Sequence, residues 1–268
     1  LIFYFVLAAV LTAAVVYITY GGLPTLDALK TNTIFASGYD NMDLANPWQS
    51  VMILGSIAAM IPALWLASVI VRDRPFSSYS SSRGGWSSKV FWKAFPVAFI
   101  CISIPIIVDE LVYNHNIDNY QMKFTLASFA VVTILGPLQC IAEEYAFRGL
   151  LMQTFGSWFK IPVLAVVLQA IVFGISHGYN SLGNISILIS GLFMGIIAWK
   201  TNGIEVSAAM HTANNLVIAM TVMIGFGVTS STIELTDTIM AIAMDLIVFA
   251  AVYYVGIKTD WFGEIRTL

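Results

Sequence analysis

The sequence predicts an all-α fold, a polytopic membrane bundle of about eight transmembrane helices. Composition is the first reason: 59% of the 268 residues are hydrophobic and only 10% are charged, whereas a soluble domain carries about 25% charged residues. Arrangement is the second. The apolar residues fall into runs of roughly 17 to 25, the length a helix needs to cross about 30 Å of hydrocarbon. The third is charge: a net −3 with scattered basic residues gives no footprint for nucleic acid. The lipid bilayer is therefore the expected solvent. Cys101 and Cys140 both lie inside apolar runs without a metal-type spacing, so no disulfide is expected.

The first span, residues 1–20, is longer than the apolar core of a secretory signal and lacks a small-residue cleavage site, so it reads as a transmembrane helix. The second, 49–71, leads into RDRPFSSYSSSRGGWSSKV at 72–90, a Ser/Gly/Arg-rich stretch read as a mobile, solvated loop against an anionic leaflet. The third, 92–112, carries Asp109 and Glu110 near its outer end. In the fourth, 124–150, Pro137 removes a helix hydrogen bond and predicts a kink one or two turns before a cluster of charges. A turn around Gly156–Ile161 leads into the fifth, 161–178. Gly191 and Gly195 in the sixth, 184–200, with Ser186 and Ser190 nearby, predict close backbone packing inside the bundle. The seventh and eighth are 204–227 and 238–258, and Asp245, alone in the last, reads as a structural polar contact.

No internal repeat divides the chain, so residues 1–268 are expected to form a single transmembrane domain. An even number of crossings puts both termini on one side. All twelve basic residues except Lys30 and Lys123 can be assigned to that side, with Asp27, Asp40, Asp43, Asp118, Glu234 and Asp237 opposite. The positive-inside bias makes the basic side the cytoplasm.

The chemistry is concentrated in three places. Glu143, Glu144 and Arg148 interrupt the fourth span, and each ionisable group near the bilayer centre costs on the order of 3 kcal/mol. Glu144 and Arg148, four apart, lie on one helix face and can pair. Glu143 points about 100° away and needs other company. Phe173 and His177 share a face of the fifth span, and His211 and Asn215 share a face of the seventh. In an antiparallel hairpin turning near residue 160, Glu143 and His177 fall at similar depth. His211 counts to roughly 10 Å from the cytoplasmic end of its helix, which is shallower than depth counting gives for Glu143 and His177 unless their hairpin projects or bends.

EEYAFR at 143–148, FGISH at 173–177 and HTANN at 211–215 resemble the EExxxR, FxxxH and HxxxN motifs of the CPBP family. That family comprises the CAAX prenyl endopeptidases and the bacteriocin-processing, Abi-type intramembrane proteases. The resemblance covers about residues 124–227 and implies an intramembrane endopeptidase acting on a hydrophobic or lipidated peptide or protein precursor. It implies that Glu143 is the base that activates water, assisted by His177. It implies that His211 and Asn215 stabilise the oxyanion, with Glu144, Arg148 and Phe173 supporting the site. Metal involvement stays open. Glu143, His177 and His211 are candidate ligands for Zn2+ with a fourth, open position, and the same residues can act without metal. The absence of the compact HExxH spacing tilts the reading toward the metal-free mechanism.

A bacterial plasma membrane with both termini cytoplasmic is the expected location. Two other readings remain at this point: a non-catalytic membrane scaffold, regulator or immunity protein, and a proton-coupled carrier. The lack of an inverted repeat weighs against the carrier.

Overall fold

The computed structural model describes residues 2–20, 43–109, 122–225 and 230–262. The expectations placed on Asp27, Lys30, Asp40, Glu110, Asp118 and Arg266 fall outside these residues. Helices account for nearly all of what is described: α1 (Ile2–Tyr20), α2 (Pro47–Ala58), α3 (Met60–Val71), the single turn α4 (Ser77–Ser80) and α5 (Ser88–Val108). They continue with α6 (Leu126–Glu144), a π-helix (Tyr145–Met152), α7 (Gln153–Phe159), α8 (Pro162–Ile175), α9 (Ser181–Lys200), α10 (Glu205–Met223) and α11 (Leu235–Lys258). No strand occurs among the described residues, only an isolated bridge between Ser81 and Gly203.

Local chemistry sets the boundaries. The Asn46 side chain accepts hydrogen bonds from the Trp48 and Gln49 amides, with Pro47 at the first helical turn. Thr125 and Ser128 form a reciprocal capping box at the start of α6. Pro62 lacks an amide hydrogen and crowds the carbonyl four residues earlier, which accounts for the interruption at Ala59 between α2 and α3. Taken together α2 and α3 form one apolar unit, Pro47–Val71.

The eight predicted spans correspond to eight helical units. By length and composition five are able to cross a membrane: Pro47–Val71, Ser88–Val108, Leu126–Phe159, Ser181–Lys200 and Leu235–Lys258. Ile2–Ile18 and Pro162–Ile175 are shorter apolar helices. Ile2, Val71, Ile134 and Ile239 are widely exposed, an arrangement suited to lipid rather than water. The chain is an integral membrane bundle.

The most polar of these helices, α10, sits at its centre. It packs against α5, α6 and α9, and Val206, Ala208, Ala209 and Ala213 have no exposed surface. Their small side chains meet Ala94, Ala98 and Ile102 of α5 and Val248 and Val252 of α11 in the main core cluster, which brings the helix backbones close. Gly191 and Gly195 work as the sequence predicts. A Cβ at Gly191 would meet Phe173 Cδ1 at 3.1 Å, and one at Gly195 would meet Gln169 Nε2 at 2.5 Å, so both glycines serve contact between α9 and α8. Asp245 lines a small cavity between α5, α9, α10 and α11 with Ser190 and Asn214.

The stretch after α3 departs from its prediction. Instead of a mobile loop, residues 75–87 form a folded cap over the π-helix and the start of α10. The Ser82 amide donates to the Asn202 carbonyl at 3.1 Å and the Ile204 amide to the Ser80 carbonyl at 2.9 Å. Arg83 pairs with Glu205 at 2.8 Å and also donates to the Thr201 carbonyl. Glu205, whose side chain is fully buried, accepts from the Ser87 amide at 2.9 Å. A buried carboxylate needs such partners. Because Arg83 lies more than a hundred residues before Glu205 in the chain, local composition alone suggested only solvation.

Candidate active site

Glu143 and Glu144 close α6, and the helix then widens into its π segment. Such a segment adds a residue per turn and rotates the following side chains relative to a straight α-helix. Glu144 and Arg148 have no exposed surface, and Arg148 Nη1 donates to Glu144 Oε1 at 2.9 Å. Two further contacts hold the guanidinium: Nη2 donates to the Gly191 carbonyl at 3.3 Å, and Cζ stands 4.3 Å over the Phe173 ring. The i, i+4 pair read from the sequence is present.

His211 on α10 completes the arrangement. Its Nδ1 lies 3.0 Å from Glu144 Oε1, and its Nε2 lies 3.5 Å from Glu143 Oε2. Adjacent carboxylates on α6 thus straddle one imidazole, whose two nitrogens bridge the angle between them. The sequence separated Glu144, as a structural pair with Arg148, from Glu143, which needed other company. Instead both converge on His211. Glu144, ionised by its Arg148 partner, can only accept at Oε1, so Nδ1 carries the hydrogen. The contact also settles the depth mismatch. Glu144 lies level with His211, six residues into α10, and the rest of the 34-residue helical unit Leu126–Phe159 runs on past the start of α10.

Asn215 Nδ2 lies 3.4 Å from His211 Nε2 and donates to Gln139 Oε1 at 3.3 Å. Asn214 Nδ2 donates to Asn215 Oδ1 at 3.2 Å, which fixes the amide with its NH2 toward His211. Just beyond the end of α8, His177 donates from Nδ1 to the Phe173 carbonyl at 2.7 Å, leaving Nε2 as an acceptor. Its ring sits against Phe173 at 4.6 Å between centroids and stacks on Tyr179 at 6.4 Å. Glu143 is within electrostatic reach of His177, Tyr4 and Tyr179. The structure therefore gathers Glu143, Glu144, Arg148, Phe173, His177, His211 and Asn215 into one region.

Residues 124–217 match the family model for type II CAAX prenyl endopeptidase, Rce1-like. Over this segment the chain is similar to that family. All seven predicted site residues lie within the segment. The chain is also similar to the uncharacterized protein YyaK of Bacillus subtilis, with 32% identity over 173 residues covering 60% of this chain and 56% of that protein. The match thus spans little more than half the length of that relative. No solved structure matches the chain.

The matched segment contains positions the sequence reading missed. Gln139 holds Asn215, and Gln169 donates to the same Gly191 carbonyl that receives Arg148, at 2.9 Å. Both had a signal. Gln139 lies four residues before Glu143 and Gln169 four before Phe173, polar side chains on the motif faces of apolar helices. Among the described residues no group of three or more His, Cys, Asp or Glu is arranged to hold a metal ion. Glu143, His177 and His211 as placed do not form a converging three-donor set for zinc.

Proposed function

We propose that the chain is an intramembrane endopeptidase that hydrolyses a peptide bond in a hydrophobic or lipidated membrane-associated peptide or protein precursor. The match of residues 124–217 to a CAAX prenyl endopeptidase family model supports the reaction class. The observation that carries the reading is the placement of His211 Nε2 between Glu143 Oε2 and the Asn215 amide, at 3.5 and 3.4 Å. That places a proton acceptor and two potential donors around one point, as acyl transfer to water requires.

In this mechanism Glu143 Oε2, which makes no hydrogen bond to another protein group, takes a proton from water as its oxygen attacks the peptide carbonyl carbon. The oxyanion faces His211 Nε2–H and Asn215 Nδ2–H. In this step both ring nitrogens of His211 donate, Nδ1 to Glu144 Oε1 and Nε2 to the oxyanion. The proton on Glu143, relayed with the help of His177 Nε2, then passes to the departing amine and the C–N bond breaks. Phe173 backs both rings, and Arg148 keeps Glu144 ionised.

The membrane is assigned as a bacterial plasma membrane with both termini cytoplasmic. The gathering of Arg72, Arg74, Arg83, Lys89 and Lys200 at the end where α10 begins supports the orientation. The test is cleavage of a hydrophobic peptide library by purified protein in nanodiscs, comparing wild type with Glu143→Gln, each with and without a chelator. Cleavage that persists in chelator and vanishes in the variant is the expected result. Loss in chelator with rescue by zinc would replace the metal-free mechanism, and equal cleavage by both proteins would remove Glu143 as the base.

A further inference from the structure

The end of α3 opens into a groove of about 480 Å3 lined by Trp65, Val69, Arg72, Asp73, Arg74 and Phe76, among others. It lies where a lipid-facing helix leaves the apolar layer: Trp65, Val69, Ile70 and Val71 are all exposed, and the chain then turns polar. Arg72 ends the helix with φ 57°, and its guanidinium donates from Nε to the Val69 carbonyl at 3.3 Å. Arg74 donates from Nη1 to the neutral Gln153 Oε1 at 2.6 Å and lies 3.9 Å over the Tyr79 ring. Its Nε is buried without a partner.

Among the described residues the ion pairs involve Arg83, Arg148 and His211, not Arg72 or Arg74. The acid in the lining, Asp73, turns Oδ1 to the Arg74 amide at 2.8 Å. Among the described residues the groove thus presents two guanidiniums that make no ion pair, beside an exposed tryptophan and an aliphatic helix face. Guanidinium forks match phosphate oxygens, tryptophan favours the headgroup level, and basic side chains at a membrane surface attract anionic lipid.

We propose that this groove binds the headgroup of an anionic phospholipid, its phosphate on Arg72 and Arg74 and its acyl chains along Trp65 and Val69 of α3. The assignment is independent of the protease reading, since no residue of the groove belongs to the proposed catalytic set. It also places the lipid next to that set's frame, because Arg74 reaches α7 through Gln153 and Tyr79 packs on the π-helix at Gly149.

Native mass spectrometry of the full chain in detergent, offered equal phosphatidylglycerol and phosphatidylcholine, tests it. Retention of phosphatidylglycerol in preference to phosphatidylcholine is expected. Arg72→Gln should lower that retention about fivefold, and Arg72→Gln with Arg74→Gln roughly 25-fold. Asp73→Asn should raise it. Arg72 is exposed and holds no buried partner, so its single variant reads binding even if the double variant folds poorly. Equal retention of the two lipids, or phosphatidylglycerol retention unchanged in Arg72→Gln, would overturn the proposal. Displacement of the lipid by millimolar inorganic phosphate would make the groove a free-anion site instead.

Discussion

Glu144 meets a cation on one side and an imidazole on the other through the same oxygen, with Glu144 and Arg148 fully buried. Removing one member of such a set strands a buried charge, which costs more than the intact pair contributes. Arg148→Met is therefore expected to destabilise the protein by about 3–5 kcal/mol, read by unfolding in mixed micelles. Combining it with Glu144→Gln should restore much of the loss. Gln139 and Asn215 belong to a different class, because their contacts aim an amide. If the proposed reaction holds, Asn215→Ala should lower kcat by about 100- to 1,000-fold. Gln139→Ala should lower it by about tenfold with the melting temperature unchanged, since Asn215 would lose its aim but not its donor. The i, i+4 spacing made the Glu144–Arg148 pair legible in the sequence. The sharing of His211 between two carboxylates was not, because it depends on how α10 is rotated against α6.

At the scale of elements, the eight helical units were legible from apolar run length, and the turn near residue 160 from the break between two such runs. The π-helix was not. The sequence pointed to Pro137, which lies inside α6, whereas the wide turns begin at Tyr145. Their cause is tertiary. The Tyr145 hydroxyl is 2.7 Å from Ser80 Oγ, its ring stacks on Phe76 at 5.0 Å, and the Gly149 backbone lies against the Tyr79 carbonyl. A Cβ at Gly149 would sit 2.6 Å from that backbone oxygen, whereas one at Gly156 meets only Ala165 Cβ at 3.9 Å. Gly149→Ala should thus cost about 1–3 kcal/mol through overpacking. Gly156→Ala should be neutral or stabilising by up to about 1 kcal/mol, with thermal melts of the two variants side by side as the check.

Taken whole, the molecule has a sealed end and a lipid-facing girth. The seal is the cap, and its anchor is Glu205, so Glu205→Gln should loosen residues 75–87 without touching the proposed catalytic groups. Trypsin should then cut after Arg83 several-fold faster than in wild type, and an unchanged digestion time course would mean that the cap holds by its aromatic contacts alone. This closure was illegible because Ser, Gly and Arg in a row carry the same local signal whether water or a distant carboxylate receives them.

The helical unit Leu126–Phe159 has a consequence at the same scale. Its 34 residues make a rod of about 50 Å at the usual rise, against roughly 30 Å of hydrocarbon. Its far tip, Trp158 and Phe159 with Ile161 and Val163 beyond, is apolar and exposed, and a unit longer than the hydrocarbon layer is accommodated by leaning with such a tip at the bilayer surface. The lean changes with the thickness of the host membrane, and the carboxylates midway along the rod change depth with it. If Glu143 is the base of the proposed reaction, acyl-chain length in reconstituted vesicles should shift which bond along a substrate meets it, and the protein would then act as a gauge of its membrane.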